Sequence, residues 1–265
     1  MHPIERLRMV ARAGREDPGV LARESASALA SFAGQPAALV TACRRLVDRQ
    51  PACAPVWWVA ARVLAATDPA REAWQAGDDL AEDPTAAVLA AALPDDTTVV
   101  VVGWPEQAGD ALVRRGDTRV LAVDSMDEGG QLAGWLRRAG SDASVVPESG
   151  GAAAVATAGL VLLDAVALGE GGVVALAGSA AVAAVARQLG VPVWVVAGVG
   201  RLLPGPLWYA LEERLADRAG PAWAQTEEVV PIGWIDAVAG PTGVLPVADT
   251  LARPTCPPAP ELCRG

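Results

Sequence analysis

The sequence contains no lysine, and its only histidine is His2. Without those side chains it cannot form a lysine Schiff base, the phosphate-binding lysine of a P-loop, a Ser-His-Asp triad, or a metal site built on several histidines. The lack of lysine beside abundant Ala, Gly, Pro, Arg and Val fits the codon usage of a GC-rich genome. Cysteine is scarce as well. Cys43, Cys53, Cys256 and Cys263 include no Cys-x-x-Cys pair, so zinc-ligand spacing is missing and no metal is expected. Cys43 falls on an apolar helical face and reads as a small core residue. Cys256 and Cys263 flank a proline-rich tail where a disulfide is conceivable, although free thiols are the rule in a cytoplasm.

Long apolar runs are also missing. Hydrophobic residues make up 52% of the chain, yet none of its runs reaches the roughly 20 residues needed to cross a bilayer. The richest stretch, 173–199, is interrupted by Ser179, Arg187, Gln188 and Pro192. The N-terminal MHPIERLRMVARAG lacks the apolar core of a secretory signal, so a cytoplasmic location and no membrane partner are expected. Positive charge is in deficit: the net charge of −10 argues against nucleic acid, whose binding needs clustered cations.

The chain that remains is long enough for one large domain or two smaller ones, and its pattern divides near residue 93. Residues 1–93 read as a helical domain. Ile4, Leu7 and Val10 share a helical face, Asp17-Pro18 resembles a cap and first turn, and Leu39, Val40, Cys43, Leu46 and Val47 recur at helical spacing. Asp68-Pro69 opens a further helix carrying Trp74. From Pro94, β-branched runs alternate with alanine-rich segments: TTVVVVG (97–103), TRVLAV (118–123), ASVVP (143–147), GLVLLD (159–164), VVALA (173–177) and VPVWVVA (191–197). Continuous apolar strands separated by helices predict a Rossmann-like parallel sheet covered by helices on both faces, spanning 94–265 with a proline-rich C-terminal tail. A helix over 206–218 and a strand at VVPI (229–232) are expected near its end.

Such sheets bind ligands beyond the carboxyl ends of their strands. Gly103, Trp104 and Glu106 follow the first strand there, Asp124 the second, and Asp164 the fourth. A partly buried carboxylate at Asp164 suits acid or base work, because burial raises its pKa toward neutrality. An aspartate in that place also ends strands by accepting backbone N–H bonds, and both readings stand. The glycines Gly171, Gly172 and Gly178, with Ser179 before an alanine-rich helix, either present N–H groups to an anion or simply make a turn and a cap. Asp124 opens DSMDE (124–128), three acids in five residues. Acids at that position hold ribose in dinucleotide sites, but the first loop lacks the glycine fingerprint, so the segment reads as a solvated loop and no cofactor is expected. Trp104 stands where it can cover a ligand.

The segment DAVALGEGGVVALAGSAAVAAVARQLGVPVWVVAG (164–198) resembles the family that joins the alpha, beta and delta subunits of translation initiation factor 2B with ribose-1,5-bisphosphate isomerase and methylthioribose-1-phosphate isomerase. The helical first half with its Gln50-Pro51 turn, and the Gly129-Gly130-Gln131-Leu132-Ala133 helix start, fit the same layout. The resemblance implies that Asp164 occupies the position of the isomerases' acid–base aspartate. It also implies losses. Their cysteine after the first strand is missing from GWPEQAG, and their Asn-Lys-hydrophobic-Gly-Thr motif is reduced to Ala175-Leu176-Ala177-Gly178-Ser179. DSMDE stands where an Arg-Pro pair is expected, and REDPGVLAR shows no Arg-Gly-Ala. The reading is therefore a non-catalytic relative, a homo-oligomer of two or more chains, binding a protein partner or a small phosphorylated metabolite. The alternative is an aldose–ketose isomerase of a phosphorylated sugar or nucleotide sugar, with Asp164 as base and Glu106 as its partner.

Overall fold

The computed structural model describes residues 18–218 and 220–263. The helix expected around Ile4, Leu7 and Val10, and the cap at Asp17, lie outside those residues. Helix α1 is described over Pro18–Ala30; α2 (Pro36–Arg49) and α4 (Pro69–Ala81) open on proline, and α3 (Ala54–Ala65) has Pro55 in its first turn. Proline is suited to that place because its missing N–H would have no helical partner. Asp68 accepts the Arg71 N–H at 3.1 Å, the cap that Asp68-Pro69 predicts. Leu21, Leu29, Leu46, Val56, Trp57 and Ala73 pack these four helices into one core. A fifth helix, α5 (Thr85–Ala92), instead lays Leu89 against the sheet.

The sheet is built from β1 (Thr98–Val102), β2 (Arg119–Val123), β3 (Asp142–Val146), β4 (Leu160–Asp164), β7 (Val193–Val196), β9 (Ala237–Gly240) and β10 (Gly243–Pro246). Their order is β10-β9-β7-β4-β1-β2-β3, parallel except for the β10 edge. Alternation along β1 sends Val99 and Val101 into the core under α5, α6 (Glu106–Arg115) and α7 (Gly129–Arg138). Val100 and Val102 enter the opposite core, under α8 (Gly151–Val155) and α9 (Ser179–Leu189). Apolar residues at every position of a strand thus reflect burial on both faces.

One strand goes elsewhere. VVALA, expected in the parallel sheet, forms β6 (Gly172–Leu176) of a separate antiparallel sheet with β5 (Ala167–Gly169) and β8 (Glu227–Pro231). The apolar run signals two buried faces but not which sheet provides them. A tight glycine turn after β5 reverses the chain at once, leaving no crossover helix to restore a parallel direction. Val173 and Ala175 face the main-sheet core and Val174 faces the helical core, so this small sheet is a middle layer. The strands β5, β9 and β10 were not expected from the sequence, while β8 and α10 (Gly205–Ala216) fall close to their predicted places.

The proline-rich tail returns to the helical layer, where Cys256, Ala259 and Leu262 are buried. All four cysteines are free thiols. Arg214 holds the tail: its guanidinium lies 4.9 Å from the Trp57 ring centre and donates to Leu262 O at 3.1 Å and Asp48 Oδ1 at 2.8 Å. Arg214→Ala is expected to cost about 2–4 kcal/mol from these charge-assisted bonds and the ring contact. Urea unfolding measures it, and a change under about 0.5 kcal/mol, the level of an ordinary surface substitution, would refute the clamp. Among the described residues no helix is long and apolar enough to cross a membrane.

Candidate functional site

The strand order reverses direction between β1 and β4, and parallel sheets open a crevice at the carboxyl ends of such a pair. A cavity of about 780 Å³ occupies that crevice, a size typical of small-molecule sites. Val102, Leu163, Asp164 and Leu176 line it from the sheets, and Leu21 and Cys53 from the helical layer.

Asp164 ends β4 beside Val196 of β7. Its Oδ2 accepts the Gln107 N–H at 3.1 Å, at the amino end of α6, where the helix dipole favours negative charge. Its Oδ1 is buried with no hydrogen-bond partner. Burial pushes the carboxyl up to about 6, against the opposing pull of Arg201 and the Gln107 and Ala108 N–H groups, with Asp110 adding to the rise. One oxygen thus caps a helix start, and the other is buried without a hydrogen-bond partner in a residue that lines the cavity.

Arg201, in the loop after β7, is only 5% exposed and donates to Ala165 O. It lines the cavity together with Arg49 from the end of α2 and Arg218 beyond α10. Arg218 is paired with Glu227 at 3.0 Å. Cations thus reach the cavity from three segments that carry none of the family's phosphate motifs. Arg201 had one available signal: it follows a Gly-Val-Gly turn at the carboxyl end of a parallel strand. Arg49 and Arg218 had none.

Trp104 and Glu106 also line the cavity, so Asp164 and Glu106 share it. Trp104 is 38% exposed, packs on Trp135 with ring centres 5.6 Å apart, and its N–H reaches Glu128 Oε2 at 3.3 Å. Gly103, just before it, has φ +64°, a left-handed turn that lifts the chain out of β1. Ser179 is buried and lines the cavity, but Gly178, not Ser179, occupies the cap position of α9. The next N–H, of Ala180, is bound by Glu228 Oε1 at 2.8 Å, so the chain's own carboxylate takes part of that helix end.

The structure does not bring the remaining candidates to the cavity. Asp124 Oδ1 accepts the Gly130 N–H at 2.9 Å and so caps α7. Gly171 and Gly172 make the β5–β6 turn, packed against Trp208 of α10 and Val230 of β8. Among the described residues no group of His, Cys, Asp and Glu could hold a metal ion.

No protein-family model and no curated protein matches the sequence. The fold does have solved counterparts. The translation initiation factor eIF-2B of Pyrococcus horikoshii superposes with a TM-score of 0.78 at 16% identity, covering 94% of this chain and 98% of that one. The tetrameric eIF2B beta2-delta2 complex of C. thermophilum gives a TM-score of 0.74 at 15% identity, over 94% and 92%. The 5-methylthioribose 1-phosphate isomerase of Pyrococcus horikoshii gives 0.62 at 13% identity, over 94% and 87%. The chain therefore has the fold common to the initiation factor 2B subunits and this isomerase.

Proposed function

We propose that this chain binds a small phosphorylated, hydroxyl-bearing metabolite in the cavity between the helical layer and the strand ends, without turning it over, and that it works as a homo-oligomer or with a protein partner. The observation that carries this reading is Arg201. A buried guanidinium spends solvation free energy that only acceptors can return, and one carbonyl uses one of its five donors. A phosphate accepts several such bonds at once, and the Asp164 carboxyl on the same cavity faces the hydroxyl-bearing part of the ligand. The absence of turnover rests on the missing thiol after β1 and on Asp164 being tied to α6. The assembly reading draws on the likeness to a tetrameric initiation factor complex.

The second reading, an aldose–ketose isomerase, is favoured by one fact: a carboxyl titrating at about 6 is poised to take a carbon-bound proton and return it to the neighbouring carbon. A thermal-shift screen against sugar phosphates, nucleoside monophosphates and nicotinamide nucleotides tests both. A phosphorylated sugar at a hundredfold excess over Kd is expected to raise Tm by about 5 °C or more. In deuterated water that sugar should keep its carbon-bound hydrogens. Deuterium incorporation would establish the isomerase instead, and no shift with any phosphorylated compound would refute the binding site.

A further inference from the structure

Asp83 lies outside the cavity, in the turn before α5, yet its carboxylate touches two of the segments that build the site. Oδ1 accepts the Thr85 N–H at 2.9 Å and the Thr85 hydroxyl at 2.5 Å, which starts α5. Oδ2 faces the other way and accepts two long-range donors: Gln107 Nε2 at 2.6 Å and the Val199 N–H at 2.8 Å. Gln107 is the residue whose own N–H binds Asp164. Val199 is two residues before Arg201, in the loop that carries the buried guanidinium.

Gly198 completes the arrangement. A Cβ at that position would overlap Asp83 Oδ2 and both amide atoms of Gln107, so the three groups meet only because residue 198 has no side chain. The Asp83 contact also fixes the Gln107 amide, since an oxygen turned toward a carboxylate would be repelled. That leaves Gln107 Oε1 buried and unpartnered, as is Asp164 Oδ1.

We infer that Asp83 is a positioning residue: its Oδ2 pins the amino end of α6 and the loop after β7 together, and so fixes Asp164 and Arg201 relative to each other. The inference rests on reading those two as the ligand-facing charges, but its test needs no ligand. Asp164 is surrounded by Arg201 from the β7 loop and Asp110 from α6, with Glu106 and Glu128 also on the cavity. Two of the influences that hold its carboxyl down, Arg201 and the Gln107 N–H, belong to the pinned segments. Releasing the pin weakens both in the same direction.

The experiment is a carboxyl-carbon NMR titration of Asp164 in the full chain, assigned with Asp164→Asn. Asp83→Asn retains an oxygen for Thr85 but replaces the second acceptor by a donor, and it is expected to raise the Asp164 midpoint by about 1 pH unit, the scale of losing a nearby opposite charge or a hydrogen bond to the charged form. Gly198→Ala, which spreads the pin from the other side, should move it the same way. Thr85→Val removes only the local hydroxyl bond, so it should lower stability and leave the titration in place. A midpoint within about 0.2 pH unit of the parent, well inside a hydrogen-bond-sized shift, in folded Asp83→Asn or Gly198→Ala would overturn the inference. So would an equal displacement in Thr85→Val. Should Asp83→Asn fail to fold, Gly198→Ala decides. Failure to find a ligand bears on the proposed function and leaves this result untouched.

Discussion

Replacing Arg201 with methionine is expected to weaken binding of a phosphorylated sugar by about 100-fold or more, the loss of two charge-assisted hydrogen bonds. Methionine keeps much of the volume of the aliphatic stem, so the change isolates the guanidinium. Calorimetric titration of parent and variant measures it, and a Kd within about threefold of the parent, under 1 kcal/mol, would remove Arg201 from the site. A second readout follows from the same substitution. Arg201 is the largest influence lowering the Asp164 carboxyl, so its loss should move that titration further above 6. Some stability will also be lost with the bond to Ala165 O, which makes affinity at saturating folded fraction the proper comparison.

Asp164→Asn should make the protein more stable above pH 6 and leave it nearly unchanged near pH 4. The carboxyl titrates at 3.8 when unfolded and at about 6 when folded. Between those values the native state holds the proton more tightly, so stability falls as pH rises through the window and stays lower above it. A shift of that size corresponds to a destabilisation on the order of 3 kcal/mol at neutral pH, which the amide avoids. Urea midpoints for parent and variant across pH 4–8 should diverge with increasing pH. Parallel curves would mean that Asp164 is not buried as a charge. Ligand affinity should stay within about threefold, less than 1 kcal/mol, because the amide oxygen keeps the Gln107 N–H and with it the start of α6.

These expectations rest on residues of very different legibility. Asp164 could be found from sequence because an aspartate closing an apolar run marks the end of a buried strand, where chemistry in parallel sheets collects. Glu106, Trp104 and Ser179 were reachable by the same rule, and all line the cavity. Asp124, Gly171 and Gly172 obeyed it on paper but are used up locally, on the start of α7 and on a turn against Trp208. The rule gives the end of a strand, not which neighbour consumes the group.

By itself the sequence determined the fold class and most of the helices and parallel strands, though not β5, β9 and β10. Proline pairs set the helix starts, two-sided apolar runs set buried parallel strands, and missing lysine and histidine closed off whole chemistries, because each of these is a property of local backbone or of composition. Tertiary structure alone decided that VVALA joins a second sheet, that Arg49, Arg201 and Arg218 meet around one cavity, and that the two oxygens of Asp83 serve different layers. Their partners lie tens to more than a hundred residues away along the chain. Charge and hydrogen-bond geometry act through space over a few ångströms, so the strand order that brings them together had to exist before their roles could be read.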